Sequence, residues 1–192
     1  SVAYFLWYHK PNDKEYSEGK QLFFYLTLGA PGIGKLNHKL NRTFYGKRPA
    51  PKRGVFVTGL ARAGTTTLLQ YLSKHPDLQS LTYRHMPFLM GGRLWRGLNK
   101  GDAEAKERSH KDGIMVSLDS PEAFDEYYWR VILQEGYYKQ VGLVRHGIDA
   151  THASRFEDYL SQQLQPGKLY LSKNNNFVLR MQSFLEHRPN YT

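Results

Sequence analysis

Between Val55 and Leu72 the sequence passes without interruption from a short apolar run through a glycine-punctuated loop into an apolar-striped segment. Val55-Phe56-Val57 has the β-branched and aromatic composition of a buried strand, and Leu68, Leu69 and Leu72 share one helical face behind Thr65 and Thr66. The loop therefore opens onto a helix N-terminus. Unpaired backbone N–H groups and the positive end of the macrodipole there favour a phosphate or sulfate.

The frame Gly59-x-x-x-x-Gly64 matches the first part of the nucleoside-triphosphate P-loop, whose next two residues are Lys and then Ser or Thr. Here Thr65 and Thr66 stand in those places, and the cation of the loop is Arg62, two residues ahead of the second glycine. The backbone cradle is kept and the charge is relocated. A rival lies upstream in Gly29-Ala30-Pro31-Gly32-Ile33-Gly34-Lys35-Leu36, which has Gly-x-x-x-x-Gly-Lys after an apolar run. Leu36, however, occupies the place of the hydroxyl that would bind Mg²⁺. The segment reads rather as a Gly/Pro turn leading into a brief surface helix within Leu36 to Tyr45, before a linker marked by Pro49 and Pro51.

Arg62-Ala63-Gly64-Thr65-Thr66 resembles the 5'-phosphosulfate loop of the sulfotransferases that use 3'-phosphoadenosine-5'-phosphosulfate (PAPS), which reads roughly Lys/Arg-Ser-Gly-Thr-Thr. Ala63 departs from the pattern and removes a hydroxyl that contacts the phosphosulfate in that family. Leu72-Ser73-Lys74-His75-Pro76-Asp77 is similar to the His-Pro ending of the family's next helix. The resemblance implies an α/β, three-layer P-loop NTPase-like fold with a central parallel sheet. It divides the chain into an N-terminal extension and linker over 1–52 and a sulfotransferase domain over 53–192. PAPS is the implied co-substrate, cradled by Arg62, Ala63, Gly64, Thr65, Thr66 and Thr67. The implied reaction is in-line transfer of the sulfuryl group to a hydroxyl or amine, without a metal. The family's 3'-phosphate residues are expected beyond Thr192, so the chain is expected to be incomplete at its C-terminus.

In a parallel sheet the ligand crevice lies at the carboxyl ends of the strands. Leu78 to Thr82 is a candidate second strand, and His85 in the loop after it is a candidate general base, because imidazole titrates near neutral pH. The alternative is a surface-loop histidine. His110 and Asp112 are weaker acid/base candidates in the glycine-rich stretch 91–119. Ser120-Pro121-Glu122 reads as a helix start, with Ser as N-cap and Pro at the first helical position. Glu122 then complements the helix dipole, although Glu122 and Trp129 could also reach an acceptor. A further helix over 149–165 ends at Pro166-Gly167, and Leu169 to Ser172 is a strand with Lys173-Asn174-Asn175-Asn176 at its carboxyl end. Asn176 is a candidate cap for a helix from Phe177 to His187. Lys173-Asn174 resembles the family site that places a lysine near the transferred group. Arg62, His85 and Lys173 are thus the catalytic candidates.

At 192 residues a single α/β domain is the default, and such a chain buries roughly 70% of its unfolded surface. The net charge of +10 favours an acidic partner through long-range steering, and PAPS is one. Nucleic acid is disfavoured: Lys and Arg are scattered, and no zinc-finger, RNP or helix-turn-helix signature is present. The absence of cysteine removes disulfides and thiolate metal sites and fits a reducing, cytoplasmic compartment. No apolar run approaches the ~20 residues of a membrane span. The acceptor is expected to be a small molecule, carbohydrate or lipid. Two other classes stay open, a P-loop nucleotide kinase or NTPase and a basic nucleic-acid-binding module.

Overall fold

The computed structural model describes residues 27–60, 63–98, 106–107, 115–133, 138–139 and 142–192. Helix α1 spans Pro31–Tyr45, strand β1 Gly54–Val57, helix α2 Thr65–Leu72 and strand β2 Leu78–Gln79. A 3-10 turn over Tyr83–His85 leads to α3 (Gly92–Leu98), and the short strands β3 (Lys106–Glu107) and β4 (Met115–Val116) follow. Next come α4 (Asp125–Leu133), β5 (Tyr138–Lys139), β6 (Gly142–Leu143), α5 (Ala150–Gln163), β7 (Leu169–Lys173), a 3-10 helix over Asn175–Leu179 and α6 (Met181–His187).

The organising sheet is parallel, in the order β1-β7-β2, with Gly54 opposite Tyr170 and Val57 opposite Lys173. Tyr191 and Thr192 extend it on the outer side of β1, where Phe56 N donates to Thr192 O at 2.6 Å and Thr192 N to Gly54 O at 2.9 Å. Two antiparallel pairs, β3 with β4 and β5 with β6, lie outside it.

Alternation along the strands loads both faces of this sheet. Val57 and Leu171 point to one side and bury Leu69 of α2, with Val55, Leu72 and Leu78 around them. Phe56 and Tyr170 point to the other side, into an aromatic core supplied by α4, α5 and α6. There Phe56 stacks on Phe177 with centroids 3.9 Å apart, and Phe156 meets Trp129 at 4.6 Å. Offset and edge-to-face pairs such as Phe56 with Phe184, at 5.6 Å, add about 0.5–1.5 kcal/mol beyond their burial. Helix α5 starts where Asp149 accepts the amide of His152 at 2.7 Å, an N-cap that satisfies one orphan donor.

Three elements differ from expectation. Residues 31–45 form one long helix with Pro31 at its start, so Gly32, Gly34 and Lys35 are helical and no phosphate-type loop exists there. Gly34 is a packing glycine: a Cβ on it would stand 3.0 Å from the Tyr127 hydroxyl and 3.1 Å from the Met90 sulfur. Second, α4 starts at Asp125 rather than at Ser120. Residues 118–122 instead pair with the segment after β2, through a Thr82–Pro121 bridge and Glu122 N donating to Leu81 O at 3.2 Å. Ser120 Oγ accepts from Ser117 N at 2.9 Å and caps no helix. Third, Asn174, not Asn176, is the cap after β7, accepting from Asn176 N at 3.0 Å, and α6 follows only after the 3-10 turn.

Candidate functional site

Gly64 closes the loop after β1 as the N-cap of α2, in the left-handed region at φ 76° and ψ 10°. Glycine takes that conformation without steric cost. Leu68 N donates to Gly64 O at 3.0 Å, so the amides of residues 65–67 precede the first intrahelical bond and are available to an anion. Thr65 and Thr66 are half-buried at this edge, and Ala63, Gly64 and Thr67 are exposed. Arg62 lies outside the described residues.

Lys173 reaches the same edge because it is the last residue of β7 and the register partner of Val57, the last residue of β1. Asn174 N donates to Val57 O at 2.9 Å, which continues the ladder one step past the strand. Asn175 then touches the loop itself: Thr58 Oγ1 donates to its carbonyl at 3.4 Å, and Thr65 Oγ1 lies 3.5 Å from its Oδ1. Lys173 and the loop between β1 and α2 are thereby brought to one end of two adjacent strands.

Glu122 pairs with Lys173. Its Oε1 lies 3.7 Å from Lys173 Nζ, with the two side chains 25% and 17% exposed. The helix-dipole role read from the sequence does not apply, because Glu122 precedes α4 and is held by pairing to Leu81. A buried network sets the end of β7 beneath this pair. Asp125 accepts from Ser172 Oγ at 2.6 Å and from Asn174 Nδ2 at 3.0 Å, and Asn174 also donates to Glu126 at 2.8 Å. Arg180, fully buried, pairs with Glu126 at 3.2 Å and lies 5.1 Å from the centre of the Trp129 ring. Burial pushes the Asp125 carboxyl up to about 6, against the pull of its Ser172 and Asn174 hydrogen bonds. No spacing signal in the sequence pointed to this network.

His85 has a setting of its own. It is only 1% exposed, and burial pushes its imidazole down to about 4. Nδ1 lies 3.1 Å from Thr82 N and Nε2 is buried without a partner among the described residues. Trp129 is fully buried in the aromatic core and does not face an acceptor. His110 and Asp112 lie outside the described residues.

No protein-family model matches the chain, and no curated protein matches it in sequence. Among solved structures it is similar to the sulfotransferase STF1 from Mycobacterium tuberculosis H37Rv, with a TM-score of 0.50 and 17% identity. That likeness covers 91% of this chain and 52% of the other, so the chain spans about half the length of the structure it matches. The fold is sulfotransferase-like. Among the described residues no helix is long and apolar enough to cross a membrane.

Proposed function

We propose that this chain carries the donor-side machinery of a PAPS-dependent sulfotransferase. One observation carries the reading: the anion loop of β1–α2, Lys173 and Glu122 converge at the carboxyl edge of one parallel sheet. The likeness of fold supports it. Residues 63–67 would cradle the 5'-phosphosulfate with their amides and the hydroxyls of Thr65 and Thr66, and Arg62 would add charge from the same loop. No lysine stands at position 65, and Lys35 lies inside α1, which disfavours an ATP·Mg²⁺ reading.

In the proposed step an acceptor hydroxyl attacks sulfur in line. Its oxygen lone pair forms the new S–O bond as the bond to the bridging oxygen breaks, and that electron pair leaves with adenosine 3',5'-bisphosphate. Lys173 stabilises the negative charge that develops on the bridging oxygen. Glu122, within ion-pair reach of Lys173, takes the acceptor proton. His85 is the second candidate base, but its lone pair on Nδ1 faces backbone and its low basicity weakens the drive for transfer. The test is release of adenosine 3',5'-bisphosphate from PAPS with a panel of hydroxylated and amino acceptors, with and without a chelator. Acceptor-dependent release that survives chelation supports the proposal. Nucleoside-triphosphate turnover that needs Mg²⁺ would replace it.

A further inference from the structure

Next to Glu122 the fold holds a second polar cleft, of about 250 Å³, that the donor site does not use. One wall is the segment 78–85 and the other is Asp119 and Pro121, with Arg96 of α3 facing both. Main-chain bonds fix the walls together: Tyr83 N donates to Ser120 O at 3.4 Å and Arg84 N to Leu118 O at 2.9 Å. The cleft and the proposed active edge share a backbone junction. Thr82 bridges Pro121, which lines the cleft, and the next residue is Glu122.

The charged groups of this cleft are Arg84, Arg96 and Asp119. Arg84 is held by Asp119 through Nε and through Nη2 at 2.8 Å, so those two charges compensate. Arg96 lies close enough to act electrostatically on His85 and Asp119, yet it makes no hydrogen bond or ion pair among the described residues. Among the described residues of the lining two guanidinium groups thus face one carboxylate. Nδ1 of His85 lies 3.0 Å from Thr82 O and 3.1 Å from Thr82 N; Thr82 O already accepts His85 N at 3.0 Å, while Thr82 N has no other acceptor among the described residues. We assign Nδ1 as that acceptor and the ring proton to Nε2, which leaves the Thr82 amide paired. That Nε2–H and the Ser80 hydroxyl are both buried with no partner among the described residues. A buried donor left unpaired costs about 1–3 kcal/mol, so two of them beside the Arg96 guanidinium fit a bound anion.

We propose that this cleft is an acceptor subsite for an anionic oxygen group, a carboxylate or sulfate ester, held by Arg96, the Nε2–H of His85 and the Ser80 hydroxyl. The volume suits such a group with part of a sugar-sized ring, and is below that of a whole ligand pocket of ~300–1,000 Å³. The acceptor is then a hydroxylated acid, with its anionic group in the cleft and its reacting hydroxyl at Glu122. His85 binds substrate in this arrangement and does not abstract the proton. The acceptor role rests on the sulfuryl-transfer proposal; the anion site does not.

The test titrates the full chain with sodium glucuronate, glucose and sodium sulfate, following the His85 ring by NMR, with adenosine 3',5'-bisphosphate in separate titrations. Glucuronate and sulfate should shift the Nε2–H signal saturably, and glucose should not. Arg96→Gln should weaken glucuronate roughly tenfold to a hundredfold, the loss of one charge-assisted hydrogen bond, and leave bisphosphate affinity unchanged. Ser80→Ala should weaken glucuronate less. Glucuronate that fails to bind, or binds equally to both variants, overturns the proposal, and a response to sulfate alone overturns the acceptor role. Glucuronate binding without bisphosphate binding would support the anion site while overturning the donor reading.

Discussion

Glu122 shows how a single backbone pairing changes a residue's chemistry. In the sequence Ser120-Pro121-Glu122 has every local mark of a helix start, yet Leu81 O takes the Glu122 amide and Thr82 bridges Pro121. Long-range pairing outweighs a capping preference of about 1 kcal/mol and turns the carboxylate toward Lys173. The two roles separate by pH. Glu122→Gln should lower kcat by ~10²–10⁴ and remove the acidic limb of the transfer rate, because the base must be deprotonated. Lys173→Ala should lower kcat by ~10²–10³ and leave the limb in place, since it supplies charge at the bridging oxygen and does not take the proton. If His85→Ala removes the limb and Glu122→Gln does not, the base is His85. His85 was legible as a residue near the strand ends, but its burial was not, because nothing local reveals that 118–122 folds back over it.

At the level of elements, the legible parts were those with strong periodicity and a cap. Strand β1, helix α2, helix α5 behind Asp149 and strand β7 lie where apolar spacing and turn residues put them. Helix α1 was obscured because Gly29, Pro31, Gly32 and Gly34 look like punctuation. Pro31 is in fact a first-turn proline, and Gly34 lets α1 approach the Tyr127 and Val131 side chains of α4. The turn into α2 makes a separate prediction. Gly64 sits at φ 76°, and an added Cβ would meet nothing within 4 Å, so the penalty of Gly64→Ala is conformational and not steric. It should lower stability by about 1–2 kcal/mol in urea unfolding. An unchanged midpoint would mean that the left-handed turn is not what closes the loop.

Across the whole molecule, two buried groups tie stability to pH with opposite sign. Asp125 is raised from 3.8 to about 6, so its contribution is fully present below 3.8 and is lost as pH rises through about 6. His85 is lowered from 6.5 to about 4, so its contribution is present above 6.5 and lost as pH falls through about 4. Over that shared window the two oppose each other. Asp125→Asn should therefore be more damaging at low pH than at pH 7, by on the order of 3 kcal/mol between the two ends. A penalty independent of pH would show that Asp125 titrates normally in the fold. Neither shift could be read from spacing, since each depends on segments packed together from distant parts of the chain. Whether the β1–α2 loop holds the 5'-phosphate end of an adenosine nucleotide is decided by calorimetric binding of adenosine 3',5'-bisphosphate against ATP·Mg²⁺. It should be measured on the wild-type chain, Arg62→Ala and Lys35→Ala. The bisphosphate should bind in preference to ATP·Mg²⁺, with affinity lost in Arg62→Ala and unchanged in Lys35→Ala. Preference for ATP·Mg²⁺, with affinity lost in Lys35→Ala and kept in Arg62→Ala, would contradict that expectation.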